Sequence, residues 1–169
     1  MQRAVPEGHG AMAAFMPTSF AQAATIIAET HLQLQLGCSS DGESVPPRTN
    51  VLDIANINAP SQLVLSGHLD MVDRAIAIAK KMKLARRAIK LPVSAPFHCE
   101  LMKPAAKELK ERLADAAFNP TLSSAVIANL NAAVIDDGEA FRDLLVEQVT
   151  KTVLWSDSIR CRYGRLLPI

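Results

Sequence analysis

The order of strand-like and helix-like segments predicts a mixed α/β (α+β) fold built in two parts. Up to about residue 91 the order is strand, helix, strand, strand, helix, strand, and beyond it helices and strands alternate. A loop that runs from Pro92 to Pro96 separates the two parts and leads directly to His98. We therefore expect one subdomain before this loop and a different unit after it.

The first part contains six predicted elements. Short apolar runs bounded by Gly, Pro or polar residues indicate strands over residues 10–16, 51–55, 62–66 and 87–91. Apolar residues at helical spacing indicate helices over about 20–35 and about 69–83. A polar loop over 37–50 and a turn from Asn56 to Pro60 connect them. This order is the split βαββαβ pattern, which predicts a ferredoxin-like subdomain over residues 8–91.

The second part is predicted to alternate between helix and strand. Leu101, Ala105, Leu109 and Leu113 form one apolar stripe of a helix over 100–116. Residues 125–129 are continuously apolar up to Asn129, which favours a buried parallel strand covered on both faces. A turn at 136–138, a helix over 139–149 and an amphipathic segment from Trp155 follow.

The bulk composition excludes several classes of protein. Eighteen basic and 17 acidic residues leave a net charge of +1, so neither nucleic acid nor an anionic membrane is expected as a partner. No run of apolar residues is long enough to span a bilayer. Cys38, Cys99 and Cys161 are far apart and form no C-x-x-C pair, which argues against disulfides and zinc and favours an intracellular setting.

His98 is the candidate catalytic residue. Proline fixes its own φ and keeps the preceding residue extended, so Pro92 and Pro96 deliver the histidine at the end of a stiff loop. An imidazole titrates near neutral pH and can act there as a general base. The alternative is a loop histidine that only hydrogen-bonds a nearby carbonyl. Cys99, directly beside it, is the first alternative nucleophile in these residues.

Five segments of the chain, in order, resemble the malonyl-CoA:acyl-carrier-protein transacylase family. One of them is Ser94-Ala-Pro-Phe-His-Cys-Glu-Leu-Met-Lys-Pro-Ala105, which resembles the histidine motif of that family and of related acyltransferase domains. The others are 4–14, 56–67 (Asn-Ile-Asn-Ala-Pro-Ser-Gln and the strand after it), 126–129 and 146–155.

The resemblance implies a reaction, a fold and its participants. Family members move malonyl from coenzyme A to the phosphopantetheine thiol of acyl carrier protein, through an acyl-serine and with no cofactor. His98 matches the base that activates the serine, and Gln148 matches the glutamine whose main-chain carbonyl orients the imidazole. The ferredoxin-like subdomain would be inserted in an α/β-hydrolase-like acyltransferase core, of which residues 92–169 with 1–7 form a carboxy-terminal part.

Four further residues match positions that contact substrate. Asn56, Asn58 and Gln62 match polar residues that line the cleft between the two subdomains, although asparagines before a proline are equally typical of a turn. Phe97 precedes the histidine, where an aromatic residue goes with malonyl and a small one with methylmalonyl. Discrimination against one methyl group is worth about 1–3 kcal/mol, so the resemblance implies a preference for malonyl rather than an absolute selection.

The nucleophile of the family is missing from these residues. It lies on a Gly-His-Ser-Leu-Gly elbow of the G-x-S-x-G form, and no G-x-S-x-G occurs in the 169 residues. Gly67-His68-Leu69 lacks the serine, and the basic stretch over 160–169 departs from the family pattern. We therefore expect a truncated form that is inactive alone.

Two alternatives remain open at this point: a non-catalytic fragment that binds acyl carrier protein, and a polyketide synthase acyltransferase domain. The expected location is a mitochondrion if the source is a eukaryote, as the Ser/Gly/Pro-rich insertion over 37–50 suggests, and otherwise the cytoplasm.

Overall fold

The computed structural model describes residues 4–37 and 50–164. The elements in chain order are β1 (Gly10–Met16), α1 (Phe20–Gly37), β2 (Leu52–Ala59), β3 (Gln62–His68), α2 (Leu69–Lys81), β4 (Arg87–Lys90), a 3₁₀ helix (Glu100–Met102), α3 (Lys103–Ala114), β5 (Val126–Ala128), β6 (Ala133–Ile135), α4 (Gly138–Gln148) and α5 (Trp155–Tyr163). The first six follow the predicted order. Most of the predicted loop over 37–50, and the end of the stretch over 160–169, lie outside the described residues.

The first four strands form one antiparallel sheet in the order β2-β3-β1-β4. Helices α1 and α2 pack on one face of this sheet. Strands and helices both contribute to the core there, which contains Ala11, Ala13, Phe15, Ala23, Ile26, Leu52, Leu63, Leu65, Met71, Val72, Ala75, Ala79 and Ala85. Each large apolar side chain that is fully buried contributes about 1.5–3 kcal/mol, so this core accounts for much of the stability of the first part.

The opposite face of the sheet is also covered, by the loop that carries His98. Met12 and Ala14 of β1 point to this face and pack with Ala55, Val64 and the partly buried Phe97. Successive strand residues point to opposite faces, so alternate residues of β1 belong to two different cores. This is why every residue from Ala11 to Phe15 is buried.

The predicted turn over 56–60 is wrong, because β2 continues to Ala59, which pairs with Gln62. Only Pro60 and Ser61 remain as the turn. Two register shifts interrupt β2, one between Ile54 and Asn56 and one between Ile57 and Ala59. Such bulges insert an extra residue into a strand, so the residue types that suggested a turn instead mark an irregular strand.

The predicted parallel strand at residues 125–129 is also wrong. Val126–Ala128 forms β5, which pairs antiparallel with β6 in a short hairpin. Asn131 Oδ1 accepts a hydrogen bond from Ala133 N at 3.1 Å, and Ala132 has a φ of 55°. Asparagine stabilises turns by this local bond, and a short apolar run does not by itself reveal the direction of its partner.

The helices of the second part bury few residues. None is buried in α3, only Gly138 in α4 and only Ser158 in α5, whereas α2 buries five. The predicted helix over 100–116 is a 3₁₀ turn followed by α3, which ends at Ala114. Within residues 4–37 and 50–164, no helix combines the length and the apolar character needed to cross a membrane.

Candidate active site around His98

His98 lies in the left-handed region of backbone space, with a φ of 59°. This conformation costs a residue with a side chain roughly 1–2 kcal/mol, so neighbouring contacts must hold it. On the N-terminal side of His98 the loop is fixed by Pro96, whose fully buried ring packs against Gly10. A Cβ atom added to Gly10 would lie 2.4 Å from Cγ of Pro96, so a glycine is required for this close approach.

The imidazole of His98 is held by a main-chain carbonyl. Nδ1 lies 2.9 Å from the carbonyl oxygen of Gln148, the last residue of α4. Because a carbonyl only accepts hydrogen bonds, Nδ1 must donate, and the neutral ring then carries its lone pair on Nε2. The half-buried ring is therefore set in the tautomer that a general base needs.

Helix α4 delivers Gln148 to this position. Its first turn is capped by Asp137, whose Oδ1 accepts from Glu139 N at 2.7 Å and from Ala140 N at 3.3 Å. At the other end, Gln148 Nε2 donates to Lys151 O at 2.9 Å and to Thr152 O at 3.3 Å. The side chain thus organises the turn after the helix, while the main-chain carbonyl binds the histidine.

Phe97 joins two apolar clusters. One is the sheet-face cluster described above, and the other contains Val5, Met102 and Val149. The ring is partly buried, so its position beside His98 is fixed by packing on both sides.

The three predicted cleft residues lie on the β2–β3 hairpin. Asn56 and Asn58 are half-buried in β2, and Gln62 is the half-buried first residue of β3. Asn56 also forms a parallel bridge with Val153, five residues after Gln148. Ile57 N donates to Val153 O at 3.0 Å, and Val153 N donates to Ala55 O at 2.8 Å. The hairpin is therefore tied to the segment that holds the histidine.

Cys99 is a structural residue and not an available nucleophile. Its side chain is fully buried and its Sγ donates to Pro96 O at 3.1 Å. Burial raises the pKa of the Cys99 thiol, which keeps it protonated at neutral pH. The hypothesis that Cys99 could replace the serine is not supported by this environment.

Sequence reasoning missed one contact in this region. Asp53 Oδ2 of β2 accepts a hydrogen bond from Glu100 N at 3.0 Å, two residues after His98. The carboxyl group of Glu100 is itself exposed and faces Lys103, whose hydrogen bond at 2.9 Å and charge lower the pKa of that carboxyl. No motif marks Asp53, since it lies 47 residues before its partner and only the fold brings them together.

No family model matches the chain. Two curated relatives show what it is similar to. It is 41% identical over 160 residues to the malonyl CoA-acyl carrier protein transacylase of Escherichia coli, a match that covers 94% of this chain and 46% of that protein. It is 32% identical over 151 residues to the polyketide biosynthesis malonyl CoA-acyl carrier protein transacylase of Bacillus subtilis, with 89% and 46% coverage.

Solved structures agree with these relatives. An acyl carrier protein S-malonyltransferase from Vibrio cholerae superposes with a TM-score of 0.83 at 33% identity, covering 98% of this chain and 48% of that one. A malonyl-transacylase solved in complex with the acyl carrier protein of a type II polyketide synthase also gives 0.83, at 29% identity and with 98% and 48% coverage.

The mixed α/β fold that carries His98 and Gln148 is therefore that of acyltransferase structures. Within that class, the relatives that match 94% of this chain at up to 41% identity are malonyl CoA-acyl carrier protein transacylases. The chain spans slightly under half the length of the relatives it matches.

Proposed function

We propose that this chain supplies the base-bearing part of an [acyl-carrier-protein] S-malonyltransferase of fatty acid biosynthesis. The reaction moves malonyl from malonyl-CoA to the phosphopantetheine thiol of acyl carrier protein. The observation that carries the proposal is the bond between His98 Nδ1 and Gln148 O at 2.9 Å, because it leaves Nε2 as the basic nitrogen.

The chemistry follows from that geometry. Nε2 takes the proton of a serine hydroxyl while the oxygen attacks the thioester carbonyl, and the proton passes to the departing coenzyme A sulfur. The pantetheine thiol of acyl carrier protein then attacks the acyl-serine, with the same nitrogen taking its proton and returning it to the serine oxygen. The carbonyl of Gln148 stabilises the imidazolium formed in each step. No G-x-S-x-G occurs in the 169 residues, so the serine must come from another segment.

The substrate contacts are proposed for the β2–β3 hairpin and Phe97. Asn56, Asn58 and Gln62 present amide groups on half-buried positions, which suits the polar groups of malonyl and pantetheine. Phe97 is packed between two clusters, so its ring cannot easily move to make room for a branched acyl group. A preference for malonyl over methylmalonyl of about 1–3 kcal/mol would follow.

The finer fold assignment is also a proposal. The order β2-β3-β1-β4 with both helices on one face supports a ferredoxin-like subdomain over residues 8–91. Residues 92–169 with 1–7 would then belong to an α/β-hydrolase-like acyltransferase core. We propose that the reaction needs no cofactor, since acyl transfer from a thioester to serine uses side chains alone.

The partner and the location rest on the relatives. The similar malonyl-transacylase that was solved in complex with an acyl carrier protein supports an acyl carrier protein as the partner of this chain. The relatives named with a source above are bacterial, which supports a cytoplasmic location, and nothing among them supports the mitochondrial alternative. The lower identity to the polyketide relative, 32% against 41%, favours fatty acid synthesis over polyketide synthesis.

A hybrid enzyme tests the proposal. In it, this chain replaces the matched 160 residues of the Escherichia coli transacylase, whose remainder supplies the serine segment. We expect transfer of malonyl to acyl carrier protein, and a loss of about 10²–10⁴-fold in the His98→Ala hybrid. His9→Ala, at an exposed histidine, is the matched control and should leave the rate unchanged. A folded hybrid without transfer would instead support the non-catalytic binding alternative.

A further inference from the structure

The N-cap residue of the helix after His98 provides no side-chain cap. The 3₁₀ helix that leads into α3 begins at Glu100, with Cys99 at the N-cap position and no hydrogen bond from that side chain to the helix. The Cys99 thiol is instead directed backwards to Pro96 O at 3.1 Å. The first amide of the helix, that of Glu100, has no acceptor within the helix and needs one from elsewhere.

Asp53 supplies that acceptor from a strand distant in sequence. Its Oδ2 accepts from Glu100 N at 3.0 Å. Two interactions stabilise a carboxylate at this position: the hydrogen bond from the amide, and the attraction of the negative charge to the positive end of the helix dipole. The bond joins β2 to the residue that lies two positions after His98.

Strand β2 holds the partner of His98 as well. Thr152 Oγ1 donates to Ile54 O at 2.6 Å, and Val153 is bonded to Ala55 and Ile57 on both sides of the Asn56 bridge. Gln148 is tied to the same segment through its own side chain, which donates to the carbonyls of Lys151 and Thr152. Both halves of the His98–Gln148 bond are therefore fastened to one strand, at neighbouring residues.

We propose that Asp53 is a positioning residue for His98. By fixing the start of the helix after the histidine, its carboxylate holds His98 in the left-handed conformation that places Nδ1 against the carbonyl of Gln148. The inference deepens the proposed function, since its catalytic meaning rests on His98 being the base. The experiment below needs no turnover, so its outcome is separate from that of the hybrid enzyme.

The test is a long-range ¹H–¹⁵N spectrum of the imidazole side chains in the 169-residue chain. The chain has four histidines, and His98→Gln identifies the signals of His98. In the parent chain we expect the single pattern of an Nδ1–H tautomer. In Asp53→Ala we expect this pattern to be lost to a mixture of tautomers, as for a ring without a fixed partner.

Two further variants separate positioning from general damage. Asp53→Asn keeps an acceptor of the same shape and should restore the parent pattern. Asp70→Ala removes an acidic residue from the first turn of α2, far along the chain from Glu100, and should leave the His98 signals unchanged. If Asp53→Ala does not fold, Asp53→Ser provides the same deletion, because its hydroxyl is too short to replace the carboxylate.

The proposal is overturned if His98 keeps the parent pattern in a folded Asp53→Ala or Asp53→Ser chain. It is equally overturned if Asp70→Ala causes the same loss, or if Asp53→Asn disturbs His98 as much as the deletion does.

Discussion

At the scale of single residues, some groups of the site can be recognised from the sequence and others cannot. The histidine could be singled out because two prolines and a following helix surround it. Its partner is a main-chain carbonyl 50 residues away, which any residue type could provide, so only the family resemblance pointed to Gln148. No sequence pattern indicates the contact of Asp53 or the burial of Cys99, because both depend on the packing of the loop against the sheet.

The buried thiol of Cys99 should make the free energy of unfolding fall as the pH becomes alkaline. Its pKa is raised in the folded chain by burial, so the folded state holds the proton more tightly than the unfolded state. This contribution is fully present below the unfolded thiol value of about 8.5 and is lost as the pH rises from there towards the folded pKa. We expect Cys99→Ala to unfold with a weaker alkaline decline than the parent, measured by urea unfolding across this range.

Cys161→Ala is the control for this experiment, since Cys161 is a free and only partly buried cysteine. It should reproduce the parent profile. An identical alkaline decline in Cys99→Ala and in the parent would show that the thiol does not behave as a buried group.

At the scale of elements, the errors of prediction lie where local and tertiary signals compete. The apolar run over 126–128 is compatible with a central parallel strand, and the Asn131 turn that makes it a hairpin arm is a weaker signal. Asn56 and Asn58 suggested a turn, while pairing with β3 extends the strand through both of them. The amphipathic helix α2 was predicted to within two residues, because its pattern is long and regular.

The end of α2 offers a stabilising substitution. Leu84 N bonds Ala79 O at 2.9 Å and Lys83 N bonds Lys80 O at 3.3 Å, a Schellman motif in which Lys83 has a φ of 55°. Glycine adopts this conformation without strain, so Lys83→Gly should raise the free energy of unfolding by roughly 0.5–1 kcal/mol.

Arg74→Gly is the matched control, at an exposed position inside the same helix. It should lower the free energy of unfolding by about 1 kcal/mol, because glycine is a poor helix former. Chemical unfolding measures both. A destabilisation by Lys83→Gly of the same size would mean that the lysine side chain matters more than the backbone strain.

At the scale of the whole molecule, the two parts differ in how much they bury. The main core is formed entirely by residues 11–85, between one sheet and two helices. Helices α3, α4 and α5 bury almost nothing, and Trp155 is 49% exposed. The order of strands and helices in the first part was predicted from the sequence, whereas the second part contains a hairpin that the continuous apolar run did not indicate.

We therefore expect residues 8–91 to fold as an independent unit. A fragment of that length should unfold cooperatively in urea, as followed by circular dichroism, because it retains the complete helix-facing core. A fragment over 92–164 should not do so, since its helices lack buried partners. A gradual, non-cooperative loss of signal in the first fragment would contradict the assignment of a subdomain.

One intact-mass measurement after incubation with malonyl-CoA tests two claims together. The first is that His98 is the base, and the second is that the nucleophile is supplied from outside these 169 residues. We expect the hybrid enzyme to gain a malonyl group, and both the His98→Ala hybrid and the 169-residue chain alone to keep their mass. A malonyl adduct on the chain alone, or adduct formation by the His98→Ala hybrid at the rate of its parent, would contradict the proposed division of roles.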